Sequence, residues 1–92
     1  MNDSLQTRCF FSIDAESDPA TASRILQLLT VRGELPDWFS VRKRGADALR
    51  IAIEFTGMDE TAAHFLAEKI GKLPAVLDVS RSWLSQRDAV KP

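Results

Sequence analysis

The 92-residue chain contains one cysteine, one histidine and no tyrosine. A single Cys9 rules out an internal disulfide and, without a second thiol, a Cys-rich zinc site. Cys9 and His64 together assemble no nucleophile with its base, no paired general acid and base, and no metal set. The residues therefore point to no catalyst, no metal and no cofactor. An excess of charge is also missing. Twelve Lys and Arg stand against thirteen Asp and Glu, a net charge of −1, so no global field draws the chain to nucleic acid or an anionic membrane. No apolar run approaches the ~20 residues that span a bilayer. The opening "MNDSLQTR" has neither the basic start nor the apolar centre of a signal peptide, and a cytoplasmic location is expected. The length allows one domain with a small core.

What is present is strongly periodic. "TRCFFSIDA", residues 7–15, is aromatic and β-branched, with Cys9, Phe11 and Ile13 on one face of a strand and Phe10, Ser12 and Asp14 on the other. "SDPATASRILQLLTVRG" predicts a helix with Asp18 as N-cap, Pro19 at the first helical position and Gly33 at its close. Its expected buried stripe is Ala22, Ile25, Leu26 and Leu29. Residues 34–57 read as a hairpin turning near Lys43 to Asp47, around Gly45. Leu49, Ile51, Ile53 and Phe55 alternate with Arg50, Ala52 and Glu54, the pattern of a sheet with one buried side. Pro36 in the first arm suits an edge strand, because it cannot donate to a ladder.

A second helix follows over "MDETAAHFLAEKIGKL", with Asp59 as N-cap, a stripe of Ala62, Phe65, Leu66, Ile70 and Leu73, and Pro74 as its stop. "AVLDVSRSW" is the last strand. Residues 1–6 are expected to be disordered, 7–83 to form the single domain, and 84–92 to be a polar tail. The order β-α-β-β-α-β with right-handed crossovers predicts an α+β, ferredoxin-like sandwich, a four-stranded antiparallel sheet with both helices on one face.

That architecture hosts enzymes, RNA binders and regulatory modules. An RNA-binding sheet needs stacking aromatics on its open face, where the third strand offers Arg50, Ala52 and Glu54. A phosphatase of this size needs a phosphate cradle after the first strand, where this chain has the acidic "DAESDPA". That acidic run lacks the Gly-turned spacing of a calcium loop and reads as a negative helix entrance. "RKR" at 42–44 reads as a solvated hairpin tip. Cys9 reads as a small buried hydrophobe and His64 as a surface residue. Trp38 and Phe39 are neighbours on a strand, so one of the two must leave the core. With Trp83 at the end of the last strand, it is a candidate anchor for a protein contact.

The segments "DPATASRILQLLTVRGELPDWFSVRK", "LRIAIEFTG" and "IGKLPAVLDVSRS" resemble the ACT domain, most closely the short regulatory small subunit of acetolactate synthase. The resemblance implies a noncatalytic subunit that binds and activates a thiamine-diphosphate-dependent synthase, with branched-chain amino acids as effectors. The alternative it leaves is a free-standing amino-acid sensor or dimerising domain. It implies a homodimer through the second strand and first helix, with Glu34, Leu35, Asp37, Trp38 and Ser40 at the interface. The implied effector site comprises Ser17, Asp18, Ala20, Thr21 and Leu35. Departures from the family pattern fall there: Ala20 stands where the family opens the helix on Gly, and Leu35 where it carries a polar residue, often Asn. Weak or absent binding of branched-chain amino acids is the expectation.

Overall fold

A computed structural model of the chain describes residues 7–85. Six elements follow in the expected order: β1 (Thr7–Glu16), α1 (Ala20–Val31), β2 (Trp38–Arg44), β3 (Ala48–Thr56), α2 (Glu60–Gly71) and β4 (Val76–Ser85). The four strands form one antiparallel sheet in the order β2-β3-β1-β4. The architecture is the ferredoxin-like sandwich that the pattern predicts.

The core is a direct product of the two-residue period. Cys9, Phe11 and Ile13 of β1 and Ile51, Ile53 and Phe55 of β3 are all buried on the helix side. The register pairs Cys9 with Phe55, Phe11 with Ile53 and Ile13 with Ile51, so the apolar sets coincide row by row. Phe11 and Phe55 meet edge to face at 5.7 Å between ring centroids.

Both helix entrances are capped by aspartates. Asp59 Oδ1 accepts from the Ala62 N–H at 2.7 Å. Pro19 already has helical φ and ψ of −62° and −19°, and Asp18 Oδ1 accepts from the Ala20 N–H at 3.0 Å, so Asp18 caps α1 as its sequence position suggests. At the other end Gly33 takes φ +72°, Glu34 N–H donates to Leu29 C=O at 2.9 Å, and Gly33 N–H to Thr30 C=O at 3.0 Å. This is the paired-bond ending that a left-handed residue permits.

Several expectations need correction. The buried face of α1 is Thr21, Ile25 and Leu29, with Leu28 beside them, whereas Leu26 is 43% exposed. The two sets share Ile25 and Leu29, and the helix has rolled toward Leu28. In α2, Ala63, Leu66 and Ile70 are buried, while Phe65 is turned out beneath two cations: the Arg32 guanidinium lies 4.4 Å and the Lys69 ammonium 5.2 Å from its ring centroid. α2 ends at Gly71, and Pro74 occupies the following turn, in which Val76 N–H donates to Leu73 C=O at 3.3 Å. β2 starts at Trp38, so Glu34, Leu35 and Pro36 form a loop before the strand; the ladder begins only after the proline, with Asp37 N–H donating to Glu54 C=O at 2.8 Å. β4 runs on to Ser85, two residues into the segment expected as tail, because Arg8 and Thr7 of β1 provide partners for Leu84 and Ser85. The disorder expected for residues 1–6, and the tail from 86 onward, lie outside the described residues.

Candidate functional site

The residues singled out for an effector fall into two groups at opposite ends of the sheet. Ser17, Asp18, Ala20 and Thr21 surround the start of α1. Ser17 N–H donates to Asp47 C=O at 3.0 Å, which fastens this loop to the turn between β2 and β3. Leu35 lies beyond the far end of α1, a helix of 12 residues and therefore about 18 Å long. Leu35 is also 87% exposed. One copy of the chain does not bring the two groups together.

The α1 entrance is chemically occupied by its own cap. Pro19 has no N–H, the Ala20 N–H is held by Asp18 Oδ1, and the Thr21 N–H donates to Asp18 C=O at 3.0 Å. Asp18 Oδ2 lies 3.7 Å from Arg24 Nη1. An incoming carboxylate meets an anion already seated where the helix dipole would attract it. Thr21 presents the opposite situation. It is fully buried and its hydroxyl has no hydrogen-bond partner, a state that costs about 1–3 kcal/mol unless some group answers it.

The expected interface residues line the free side of the sheet. Trp38 is 60% exposed, and Phe39 is the aromatic that packs on the core, which resolves the choice between them. Asp37 is exposed, and Glu34 and Ser40 are half-buried. Five of the eight large hydrophobic residues left exposed among the described residues, Leu26, Val31, Leu35, Trp38 and Val41, belong to α1, β2 or the loop joining them.

Cys9 is buried, and burial raises its thiol pKa against a smaller lowering by Arg81. His64 is exposed on α2. Among the described residues no three His, Cys, Asp or Glu side chains gather as a metal site, and no helix is long and apolar enough to cross a membrane.

One grouping escaped the sequence reading. The register sets Arg42 of β2 directly opposite Arg50 of β3, with Arg44 two residues further along the same face. "RKR" and the outward Arg50 were each visible in the sequence. Their juxtaposition follows only once the turn is known to be the three residues Gly45 to Asp47.

The described residues form a two-layer sandwich with an open sheet face and β2 as an uncovered edge strand. The chain belongs to the ACT-like domain family, whose profile matches residues 2–88. The ACT domain of a GTP pyrophosphokinase from Chlorobium tepidum superposes with a TM-score of 0.71 at 12% identity, covering 84% of this chain and 99% of that one. The C-terminal domain of the MgtC protein from Mycobacterium tuberculosis gives 0.64 at 13% identity, with 92% of each chain covered. An uncharacterised Thermotoga maritima protein gives 0.63 at 14% identity, covering 87% and 96% respectively. At these identities the likeness is one of fold. No curated protein matches the chain.

Proposed function

We propose that this chain is a noncatalytic regulatory module that works as a homodimer joined through β2 and α1, and that senses a small molecule at the joint. The observation that carries the reading is the concentration of exposed apolar side chains on α1, β2 and the loop between them. A second copy is the natural cover, because β2 also ends the sheet with unpaired backbone groups. An antiparallel pairing of two β2 edges centred on Val41, the middle residue of Trp38–Arg44, makes consistent neighbours. It sets Arg44 of one copy against Trp38 of the other, a cation over an indole. It also brings the Leu35 loop of one copy to the same end of the joint as the β2–β3 turn of the other, the turn to which the Ser17 loop is fastened. The two halves of the implied effector site thus become one in the dimer, twice over by symmetry.

Within that site the chemistry argues for a weak carboxylate effector. Asp18 fills the helix entrance, and Leu35 brings no polar group. Losing one good hydrogen bond to a charged ligand costs about 1.5–3 kcal/mol, or about ten- to two-hundredfold in affinity. Valine, leucine and isoleucine are expected to bind weakly or not at all. By its resemblance to the acetolactate synthase small subunit, the dimer would act on a cytoplasmic, thiamine-diphosphate-dependent large subunit. The free-standing sensor remains the second reading, in which a small molecule would bind the dimer without a synthase partner.

Light scattering at micromolar concentration tests the dimer; a stable monomer would end the reading. Calorimetry with the three amino acids, on the wild type and on Ala20→Gly with Leu35→Asn, tests the effector. Tight wild-type binding refutes the weak-site argument, and a gain in the double variant supports it. Co-purification with a larger thiamine-diphosphate enzyme, and a rise in that enzyme's rate, would favour the subunit over the sensor.

A further inference from the structure

The open face of the sheet carries its charge unevenly. Asp14 and Asp78 pair across β1 and β4, and in the same row Arg50 and Arg42 pair across β3 and β2. Like charges directly opposite on a sheet destabilise it, because their Cβ atoms lie only about 5 Å apart. Asp14 relieves part of this: its Oδ1 accepts from Arg50 Nε at 2.5 Å. That bond uses one of the five donors on the Arg50 guanidinium. Arg42 and Arg44 have no carboxylate within 4 Å among the described residues.

Between these side chains lies a depression of about 290 Å³, walled by Arg42, Arg44 and Arg50 and floored by Ser40 and Ala52. The floor residues are small enough to leave the guanidinium groups accessible from above, and the Ser40 hydroxyl adds a donor. We infer that this corner is an anion site for a phosphate-bearing small molecule, a phosphomonoester or diphosphate. Planar guanidinium groups bind such oxygens two at a time, and three of them converging on one hollow suit a polyanion better than a single carboxylate. The hollow is too small for a folded partner's element. The bound anion would also offset the Arg42–Arg50 repulsion, which Asp14 relieves only on the Arg50 side.

This site goes beyond the dimer reading and does not need it, since all five residues belong to one copy. Inorganic pyrophosphate, titrated into the full chain at low salt, is the probe, followed by calorimetry and by backbone amide shifts. Saturable binding with shifts at Ser40, Arg42, Arg50 and Ala52 is expected. Arg42→Gln should weaken it about tenfold or more. Asp14→Asn should tighten it, because it removes the anion competing for Arg50; a merely structural role for these residues gives no such opposite sign. Circular dichroism verifies that each variant is folded, and light scattering follows the dimer independently. No binding to the wild type, no loss in Arg42→Gln, or tighter binding of polyglutamate than of pyrophosphate would overturn the assignment.

Discussion

β2 and β4 both end the sheet, yet the chain finishes the two edges differently. β4 is entered through a turn at Leu73 to Val76 that holds Ala75 at φ +73°, and the Ala75 carbonyl accepts from the Glu16 N–H at 2.8 Å. Its register then slips between Asp14 and Ala15, leaving Leu77 as an extra residue in the strand. Such a bulge bends an edge and spoils it as a template for another strand. Val76 and Val79 also pack against the core. β2 has none of these devices. It pairs with β3 without a slip over all seven residues, only Phe39 packs against the core, Ser40 is half-buried, and the other five residues are exposed. The comparison teaches that one edge is bent and packed down while the other stays straight and is guarded only by the charges of Arg42, Lys43 and Arg44 at one end, which makes β2 the edge better suited to the proposed dimer.

The largest expected effect tests that contrast by placing the same charge on both edges. Val41 is 45% exposed at the middle of β2, and Leu77 is exposed on β4. In the proposed dimer, Val41 meets its own copy across the two-fold axis. Val41→Arg would set two like charges face to face there, and a central interface residue of this kind is worth about 2 kcal/mol or more, roughly thirtyfold in the dimer dissociation constant. Leu77→Arg should leave association unchanged. Both variants should keep their folding stability within about 0.5 kcal/mol, as exposed positions do. Sedimentation of the two proteins side by side reads the difference, and equal behaviour would break the comparison.

A smaller effect is expected at the entrance to β4. The turn before the strand has Pro74 at its second position and a positive φ at its third, the form that favours glycine there. Alanine at that position sacrifices about 1 kcal/mol for its Cβ. Ala75→Gly should therefore stabilise the fold by about that amount, raising the thermal midpoint by about 4–8 °C. An unchanged or lowered midpoint in a heat-denaturation scan would mean that the alanine is not strained. The turn would then owe its shape to the Glu16 contact alone.

How much of this was readable beforehand depends on how many structures one pattern fits. The alternation of Leu49 to Phe55 admits a single buried face, so β3 and the sheet around it were legible. The α1 stripe was ambiguous, because Ile25 and Leu29 belong to two overlapping sets. The set that is buried includes Thr21, a polar residue that hydrophobicity alone does not select. Leu35 and Pro36 look like the start of a strand in sequence, yet the missing proline N–H delays the ladder until Asp37. In the candidate site Asp18 was visible as a cap. The consequence, a carboxylate seated where an effector's would lie, needed the bond to Ala20 to be seen. The Arg42–Arg50 opposition was hidden in the length of one turn.

The smallest effect comes from the interior shared with the protected edge. Cys9 of β1 is paired in register with Trp83 of β4 and is wholly buried. Burial disfavours the thiolate and raises the pKa above its ordinary value of 9.0, with Arg81 pulling less strongly the other way. In the unfolded chain the same thiol ionises normally. Above pH about 9 the unfolded state therefore holds fewer protons than the folded one, and stability falls as pH rises. Below that pH both states hold the proton, and Cys9 contributes no pH dependence. Urea unfolding should thus show a stability decline in the alkaline range that is weaker in Cys9→Ala, a variant small enough for the site but missing the titrating group. Because the thiol is wholly buried in the core between the sheet and the helices, a thiol reagent at neutral pH should react slowly with the native protein and rapidly in denaturant. Fast native labelling would show that the core around β1 opens readily, and the burial that raises the Cys9 pKa would not hold in solution.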